Sequence, residues 1–149
     1  LVREASMFWL DGATGAACRA RPDLATADWS LLIDYKTTVD ASPVGFAKAL
    51  GNLWYHCQQS WYQDAVEHFT GISPMFVFIA QEKTPPYQVG IYELDPVAVE
   101  IAQAMNHKAR TIWKTCVETG EWPGYTPNPV TIALPAWAER SLSEEYIDD

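Results

Sequence analysis

Apolar and polar residues change their spacing several times along the chain, and each change indicates a new secondary-structure element. Residues 5–11 and 16–22 flank the turn-forming residues 12–15, and this arrangement predicts a β-hairpin. Residues 29–36 follow with a short apolar run that becomes polar only at its C-terminal end, as in a buried central strand. The first part of the chain is therefore predicted to be β-structure.

Helical spacing begins at Ser42-Pro43, where serine is a typical N-cap and proline suits the first helical position. One long helix is predicted from there to about Phe69, and Gly71 and Pro74 end it. Its apolar stripe consists of Phe46, Leu50, Leu53, Trp54, Cys57, Trp61 and Ala65. The tryptophans predicted to lie in the core are Trp9, Trp29, Trp54 and Trp61.

Two strands, residues 75–80 and 87–94, are predicted next, and Pro85-Pro86 connects them. A second long helix is predicted from about Pro96 to Thr119, with Gly120 as its C-terminal stop. The order of hairpin, strand, helix, two strands and helix is typical of an α/β domain with a mixed sheet.

The rest of the chain is predicted to be a loop followed by a short helix. The Pro- and Gly-rich sequence WPGYTPNP is expected to be an ordered loop held by Trp122 and Tyr125, and the helix is expected to begin near Pro135. With 149 residues and 48% hydrophobic content, the chain is long enough for one sizeable core. We therefore expect a single domain over residues 1–149.

Composition indicates the environment in which the protein is expected to fold. No stretch approaches the roughly 18 to 20 apolar residues of a membrane span, and the N-terminus lacks the features of a signal peptide. A soluble, cytoplasmic protein without a membrane partner is expected. Cys18, Cys57 and Cys116 lie far apart, so they indicate buried reduced thiols rather than disulfides or a zinc site.

The net charge of -9 argues against general binding of nucleic acid, because neutralising phosphates requires lysine and arginine. The charge is distributed unevenly, however. Up to Lys48 the chain has five basic and six acidic residues, which gives -1, and the remaining -8 lies downstream. An anionic ligand is therefore expected to approach the first third of the chain.

Asp23, Asp34 and Lys36 are the candidate chemical groups of that region. Asp34 and Lys36 are two apart on a predicted strand, so they project to one face, and Asp23 lies opposite them if the hairpin's second strand pairs with this strand. Two converging carboxylates are the minimum for a magnesium site, and a neighbouring lysine can orient the attacking water. The alternative is a turn aspartate and a solvent-exposed pair at a strand end.

Gln58 and Tyr62 add to the first interpretation. They are four residues apart on the predicted helix, so they share a face with Trp54 and Trp61. A glutamine on an apolar face needs hydrogen-bond partners, which favours a functional site, although a core glutamine bonded to the backbone is the alternative.

Several segments together resemble the C-terminal nuclease domain of exonuclease VIII, the RecE family of the PD-(D/E)xK nuclease superfamily. D-x-K alone is common, whereas the ordered set of segments is specific, and the similarity covers nearly the whole chain. The segments are Glu4–Trp9, Cys18–Asp23, Ile33–Thr38, Tyr55–Gln58 with Tyr62, Glu121–Pro123 and Leu134–Ala138.

The resemblance implies a PD-(D/E)xK core, a central mixed sheet flanked by helices, and a role for each matching residue. Asp23 and Asp34 would bind Mg²⁺, with Mn²⁺ as a substitute, and Lys36 would be the catalytic lysine. The further residues with implied roles are Gln58 and Tyr62 as a catalytic pair, Glu4 and the Tyr35 carbonyl as additional metal ligands, and Thr37, Thr38 and Arg21 as phosphate contacts.

The resemblance also implies digestion of double-stranded DNA from 5′ to 3′, leaving 3′ single strands for recombination. A homotetramer and a single-strand annealing recombinase as partner are implied as well. The superfamily core has a helix ahead of the first strand, and members of the family carry a histidine in that region, but this chain begins almost at that strand. We therefore expect it to be a C-terminal fragment of a longer protein, without the first core helix.

Two other functions are compatible with the same residues. A nuclease-like domain retained only for DNA binding or assembly would explain the negative charge, although the intact carboxylates favour an enzyme. A glycosidase using Asp23 and Asp34 as an acid and base pair would leave Lys36 without a role.

Overall fold

A computed structural model describes residues 1–147 of the chain. The chain separates into two compact units, Leu1–Thr119 and a second unit that begins at Gly120. Compactness does not show whether each unit folds alone, so the single domain stays a prediction. Within the described residues, no helix is long and apolar enough to cross a membrane.

The first unit is an α/β arrangement, as predicted. Its strands are β1 (Val2–Arg3), β2 (Met7–Leu10), β3 (Ala17–Ala20), β4 (Leu24–Ala25), β5 (Leu31–Thr38), β6 (Met75–Glu82) and β7 (Val89–Tyr92), and its helices are α1 (Pro43–Asn52), α2 (Tyr55–Thr70) and α3 (Pro96–Thr119). The main sheet has five strands in the order β1-β4-β5-β6-β7. Because β5 and β6 are parallel and the other pairs are antiparallel, the sheet is mixed.

The predicted hairpin forms, but its pairing differs from the expectation. Strands β2 and β3 make a separate two-stranded sheet, so β3 does not pair with β5. Pro22 follows β3 and has no N–H to continue a ladder, and the chain then begins the short strand β4. It is β4 that pairs antiparallel with β5, through Leu24 opposite Ile33 and Ala25 opposite Leu32.

The predicted long helix is two helices. Ser42 caps α1 by accepting a hydrogen bond from the Gly45 N–H, as expected, and Gly71 ends α2 in a left-handed conformation. Between the helices, Trp54 has a φ of 58°, which interrupts the helical path. The predicted apolar stripe is therefore wrong at Leu53 and Trp54, because both residues are 60% exposed.

The core lies between the main sheet and helices α1 and α2. Leu32, Phe76 and Phe78 share one face of the sheet because β5 and β6 run in register. Phe46 of α1 packs against Phe78 with ring centroids 5.8 Å apart, and Tyr55 of α2 lies 6.2 Å from the same ring. This aromatic layer fixes both helices over the face of β5 that carries Asp34.

Arg110 on α3 links the hairpin to the helices. Its Nε lies 3.3 Å from Asp11 Oδ1, and its Nη1 donates to Asp64 Oδ2 at 3.2 Å. Its guanidinium carbon also lies 5.2 Å from the ring centroid of Trp61. Hydrogen bonds from Thr14 hold the pKa of Asp11 below its usual value, whereas burial raises the pKa of Asp64.

The second unit contains helix α4 (Ala136–Tyr146), which confirms the helix predicted near Pro135. Residues 122–129 form neither helix nor strand. Trp122 is 64% exposed and Tyr125 is fully exposed, so the prediction that these two rings hold the loop is wrong. Both rings lie in solvent.

Candidate active site

Strand β4 brings the two predicted metal-binding aspartates together. Leu24 pairs with Ile33, and the next step of this antiparallel register places Asp23 beside Asp34. Asp23 Oδ2 accepts a hydrogen bond from the Tyr35 N–H at 3.1 Å, which fixes its carboxylate at the edge of β5. Sequence reasoning expected this proximity but assigned it to the hairpin.

Asp34 is the buried carboxylate of the site, with 1% of its surface exposed. Burial raises its pKa most, Lys36 opposes that rise, and the charge of Asp23 adds to it. Its Oδ2 lies 2.5 Å from Lys36 Nζ, but among the described residues its Oδ1 has no hydrogen-bond donor. A buried carboxylate oxygen without a donor is energetically costly, so this oxygen is available to a cation.

Lys36 lies between the carboxylate of Asp34 and an aromatic ring of α2. Its side chain is 15% exposed, and its ammonium lies 4.7 Å from the ring centroid of Tyr55. The prediction that Asp34 and Lys36 share a face is confirmed, since both lie on the side of β5 covered by α2. The electrostatic attraction of the ring for the ammonium helps to hold Lys36 in place.

Gln58 and Tyr62 lie on the face of α2 directed at the sheet. Gln58 Nε2 donates to Tyr62 Oη at 3.0 Å, and the Tyr62 ring packs 6.5 Å from that of Phe76 on β6. The two side chains are therefore partners of each other. Their catalytic role stays a prediction, but both lie on the sheet face that carries Asp34 and Lys36.

Glu4 is not gathered with the two aspartates. Its carboxylate is exposed and lies 3.9 Å from Arg21 Nη1, while its backbone N–H donates to the Asp23 carbonyl at 3.1 Å. Residues 1–147 contain no group of three His, Cys, Asp or Glu side chains that could hold a metal ion. A cation at Asp23 and Asp34 would therefore complete its coordination shell with other oxygens.

The remaining predicted residues lie on both faces of β5. Tyr35 and Thr37 point to the face opposite Asp34, and the Tyr35 hydroxyl donates to Gln81 Oε1. Thr38 lies on the same face as Lys36, and its hydroxyl donates to the Asp40 carbonyl at 3.2 Å. Thr37 is thus placed away from the carboxylates, whereas the Tyr35 carbonyl belongs to the strand that carries them.

Tyr55 is a site residue that sequence reasoning did not identify. Its sequence signal was its spacing, because residues 55, 58 and 62 are three and four apart and so share a helical face. Only the three-dimensional contact with Lys36 distinguishes it from an ordinary core tyrosine.

The donor chemistry of the site fits a hard divalent cation. Asp23 and Asp34 supply carboxylate oxygens, and the strand that carries Asp34 also presents the Tyr35 carbonyl. Mg²⁺ prefers oxygen ligands and typically keeps several waters while binding one or two carboxylates and substrate phosphates. Two carboxylates, one with an unpartnered oxygen, are sufficient for that mode of binding.

Comparison with known proteins gives a family and a fold. Residues 3–129 match a family described as a PDDEXK-like domain of unknown function (DUF3799). Among solved structures, the chain is similar to a protein from Eubacterium rectale described as a putative exonuclease, determined at 2.19 Å resolution. The TM-score is 0.65 at 16% identity, and the match covers 99% of this chain and 57% of that protein. No curated protein matches the chain.

The structural likeness concerns the fold, since the identity is low, and the chain spans a little over half of that protein's length. With the family match, it confirms the predicted α/β fold with a PD-(D/E)xK-like core and a central mixed sheet.

Proposed function

This chain belongs to the family of PDDEXK-like domains, and from that premise we propose that it is a divalent-metal-dependent nuclease that hydrolyses phosphodiester bonds of double-stranded DNA. One observation carries the proposal. Within residues 1–147, Asp34 is buried with an oxygen that has no hydrogen-bond partner, and it lies next to Asp23 and in an ion pair with Lys36. A purely structural ion pair of this kind would leave a buried charge incompletely satisfied.

Each side chain has a definable role in this reaction. Asp23 and Asp34 would hold Mg²⁺, with the Tyr35 carbonyl as a further oxygen ligand. When bound, the ion polarises the phosphate and lowers the pKa of a coordinated water. Lys36 would lose its ion pair as the charge of Asp34 is neutralised, and its ammonium would then donate to the attacked phosphate.

Helix α2 supports the lysine in this proposal. The Tyr55 ring contacts the ammonium of Lys36, while Gln58 and Tyr62 form a hydrogen-bonded pair on the same helix face. That pair can orient a water or a phosphate oxygen, because the amide carbonyl of Gln58 and a lone pair of the tyrosine oxygen stay available as acceptors.

The finer features of the proposal rest on the sequence resemblance to RecE-type nucleases. They are exonuclease digestion from 5′ to 3′, release of 3′ single strands for recombination, a homotetramer, and a single-strand annealing recombinase as partner. Magnesium as the physiological ion and a cytoplasmic location belong to the same proposal.

The test compares wild-type protein with Lys36→Ala on duplex DNA labelled at either 5′ end. We expect hydrolysis with magnesium, none after chelation, recovery on adding magnesium back, and at least about a 100-fold loss of rate in Lys36→Ala. Lys114→Ala is the matched control, because Lys114 is an exposed lysine on α3 whose partner is Glu118.

Hydrolysis that persists in chelator, or that survives in Lys36→Ala at the control rate, would contradict the proposed site. Magnesium-dependent stabilisation without hydrolysis by the wild type would instead favour a domain retained for DNA binding or assembly.

A further inference from the structure

The outer face of the β2–β3 hairpin carries apolar side chains in solvent. Phe8 and Leu10 are 65% and 66% exposed, and their cross-strand partners Arg19 and Ala17 are exposed too, whereas the pair Trp9 and Cys18 is buried. Strand alternation explains the difference, because Phe8 and Leu10 project to one side of the hairpin and Trp9 to the other. The exposed face is thus the side turned away from α2.

An arginine lies beside this exposed ring. Arg19 is directly opposite Phe8 in the hairpin register, and its guanidinium carbon lies 5.8 Å from the ring centroid. The arginine guanidinium over this exposed aromatic ring forms a platform on which a flat, electron-rich ring can stack. Leu10 extends the apolar part of this platform along β2.

The backbone beneath the platform is held from behind. Trp61 of α2 donates its indole N–H to the Arg19 carbonyl at 2.9 Å, and its ring packs 5.6 Å from that of Trp9. The hairpin turn is held by Arg110 through Asp11. A surface fixed in this way loses little conformational entropy when a ligand binds.

The local charge is favourable for an anion, in contrast to the net charge of -9 of the whole chain. Arg21 is paired with Glu4 at 3.9 Å, whereas Arg19 has no carboxylate partner among residues 1–147, and the one acidic side chain of the hairpin, Asp11, is engaged by Thr14 and Arg110. The platform therefore combines an exposed ring with the positive charge of Arg19. Nucleic acid strands bind to such surfaces through phosphates and stacked bases together.

We propose that Phe8, Leu10 and Arg19 bind a single-stranded segment of the nucleic acid substrate, with Arg21 contacting its backbone towards the cleavage site. Three residues separate Arg19 from Asp23, so the Cα atoms of these two residues are at most about 14 Å apart. That distance corresponds to about four steps of a stacked strand. The strand is single because a base must be unpaired to stack on Phe8.

This inference rests on the proposed nuclease function for its substrate, and its test measures binding without hydrolysis. The probe is a fluorescein-labelled oligo(dT), titrated with the full chain in chelator at low salt, and followed by fluorescence anisotropy. We expect Phe8→Ala and Arg19→Ala each to weaken binding about 5- to 100-fold, and Phe8→Tyr to retain the affinity because it keeps the ring.

Ile91→Ala and Lys114→Ala are the matched controls, since they remove an exposed apolar and an exposed basic side chain elsewhere. Both should bind oligo(dT) like the wild type. Arg19→Ala should also reduce the dependence of log affinity on log salt by about 0.7, the value for one phosphate contact on a single strand.

Oligo(dT) affinity in Phe8→Ala and Arg19→Ala equal to that of the controls would overturn the inference. So would a change of oligomeric state in Phe8→Ala with unchanged affinity, which would make the platform a protein interface. A wild type that binds oligo(dT) through these residues but hydrolyses no DNA would refute the nuclease function alone.

Discussion

Two clusters of charged side chains lie in the same compact unit, and their surroundings differ. Around Arg110, Asp11 and Asp64 take separate nitrogens of the guanidinium, and Asp11 also accepts two hydrogen bonds from Thr14. Around Lys36, Asp34 is more deeply buried, and among residues 1–147 the Lys36 ammonium against Oδ2 is its one ion-pair partner.

The difference separates a charge cluster that joins elements of the fold from one that suits the proposed metal site. The Arg110 cluster joins the hairpin, α2 and α3, so the fold itself gives the guanidinium two carboxylate partners from separate elements. The Asp34 pair joins residues of a single strand and, among residues 1–147, leaves Oδ1 without a hydrogen-bond donor. An incompletely satisfied buried carboxylate favours a cation-binding role more than a short ion-pair distance does.

The largest expected effect concerns catalysis and separates the two clusters directly. Asp34→Asn should reduce magnesium-dependent hydrolysis at least about 100-fold, because it removes the negative charge that binds the cation. Asp64→Asn makes the same substitution in the Arg110 cluster, and it should leave kcat/KM within about threefold of the wild-type value. Similar losses in both variants would remove the distinction between the clusters.

The next effect concerns stability. Arg110→Met should lower the free energy of unfolding by about 2–3 kcal/mol in urea titrations, because Asp11 and Asp64 then lose their shared cation. The expected loss is smaller than for a fully buried pair, since Asp64 is 31% exposed. Lys114→Met, which breaks an exposed pair with Glu118, should change stability by less than about 0.5 kcal/mol.

Magnesium should stabilise the protein through Asp34 and not through the Arg110 cluster. At ten times its dissociation constant, a bound ion raises the free energy of unfolding by about 1.4 kcal/mol. Thermal unfolding with and without magnesium should show this gain in wild type and in Arg110→Met but not in Asp34→Asn. A gain retained by Asp34→Asn would place the ion elsewhere.

The smallest effect is on the pH dependence of stability in chelator. The pKa of Asp34 is raised, so the folded chain holds this proton more tightly, and the contribution of Asp34 declines as pH rises from the ordinary aspartate pKa to the raised one. The pKa of Asp11 is lowered, so its stabilisation exists above the ordinary value and is lost as pH falls through the lowered one.

Urea titrations across the acidic range should therefore show opposite changes in two variants. Asp34→Asn should remove the loss of unfolding free energy that occurs as pH rises. Asp11→Asn should remove part of the loss that occurs as pH falls. If both variants changed the pH dependence of unfolding free energy in the same direction, the raised pKa of Asp34 and the lowered pKa of Asp11 would be contradicted.

The part of the site predicted best from sequence is the part governed by local periodicity. Asp34 and Lys36 share a face because they are two apart on a strand, and Gln58 meets Tyr62 because they are four apart on a helix. Asp23 was also expected nearby, but through pairing of the hairpin with β5. The strand that places it there, β4, has two residues and is too short to show a hydrophobic period.

What sequence could not supply depends on contacts between distant segments or on single backbone angles. The left-handed conformation of Trp54 divides the predicted helix and exposes a tryptophan assigned to the core. The cluster of Asp11, Asp64 and Arg110 comes from three separate elements, and no spacing within any of them indicates it.

The pairing of β4 with β5 also affects how the site assembles during folding. Asp23, Asp34 and Lys36 lie within one continuous segment, closed by a turn at residues 26–30 whose Thr26 N–H donates to the Leu31 carbonyl. Closing so short a loop costs little chain entropy, whereas docking Tyr55 of α2 onto β5 closes a longer one. The carboxylates can therefore meet before the helix that holds the lysine has docked.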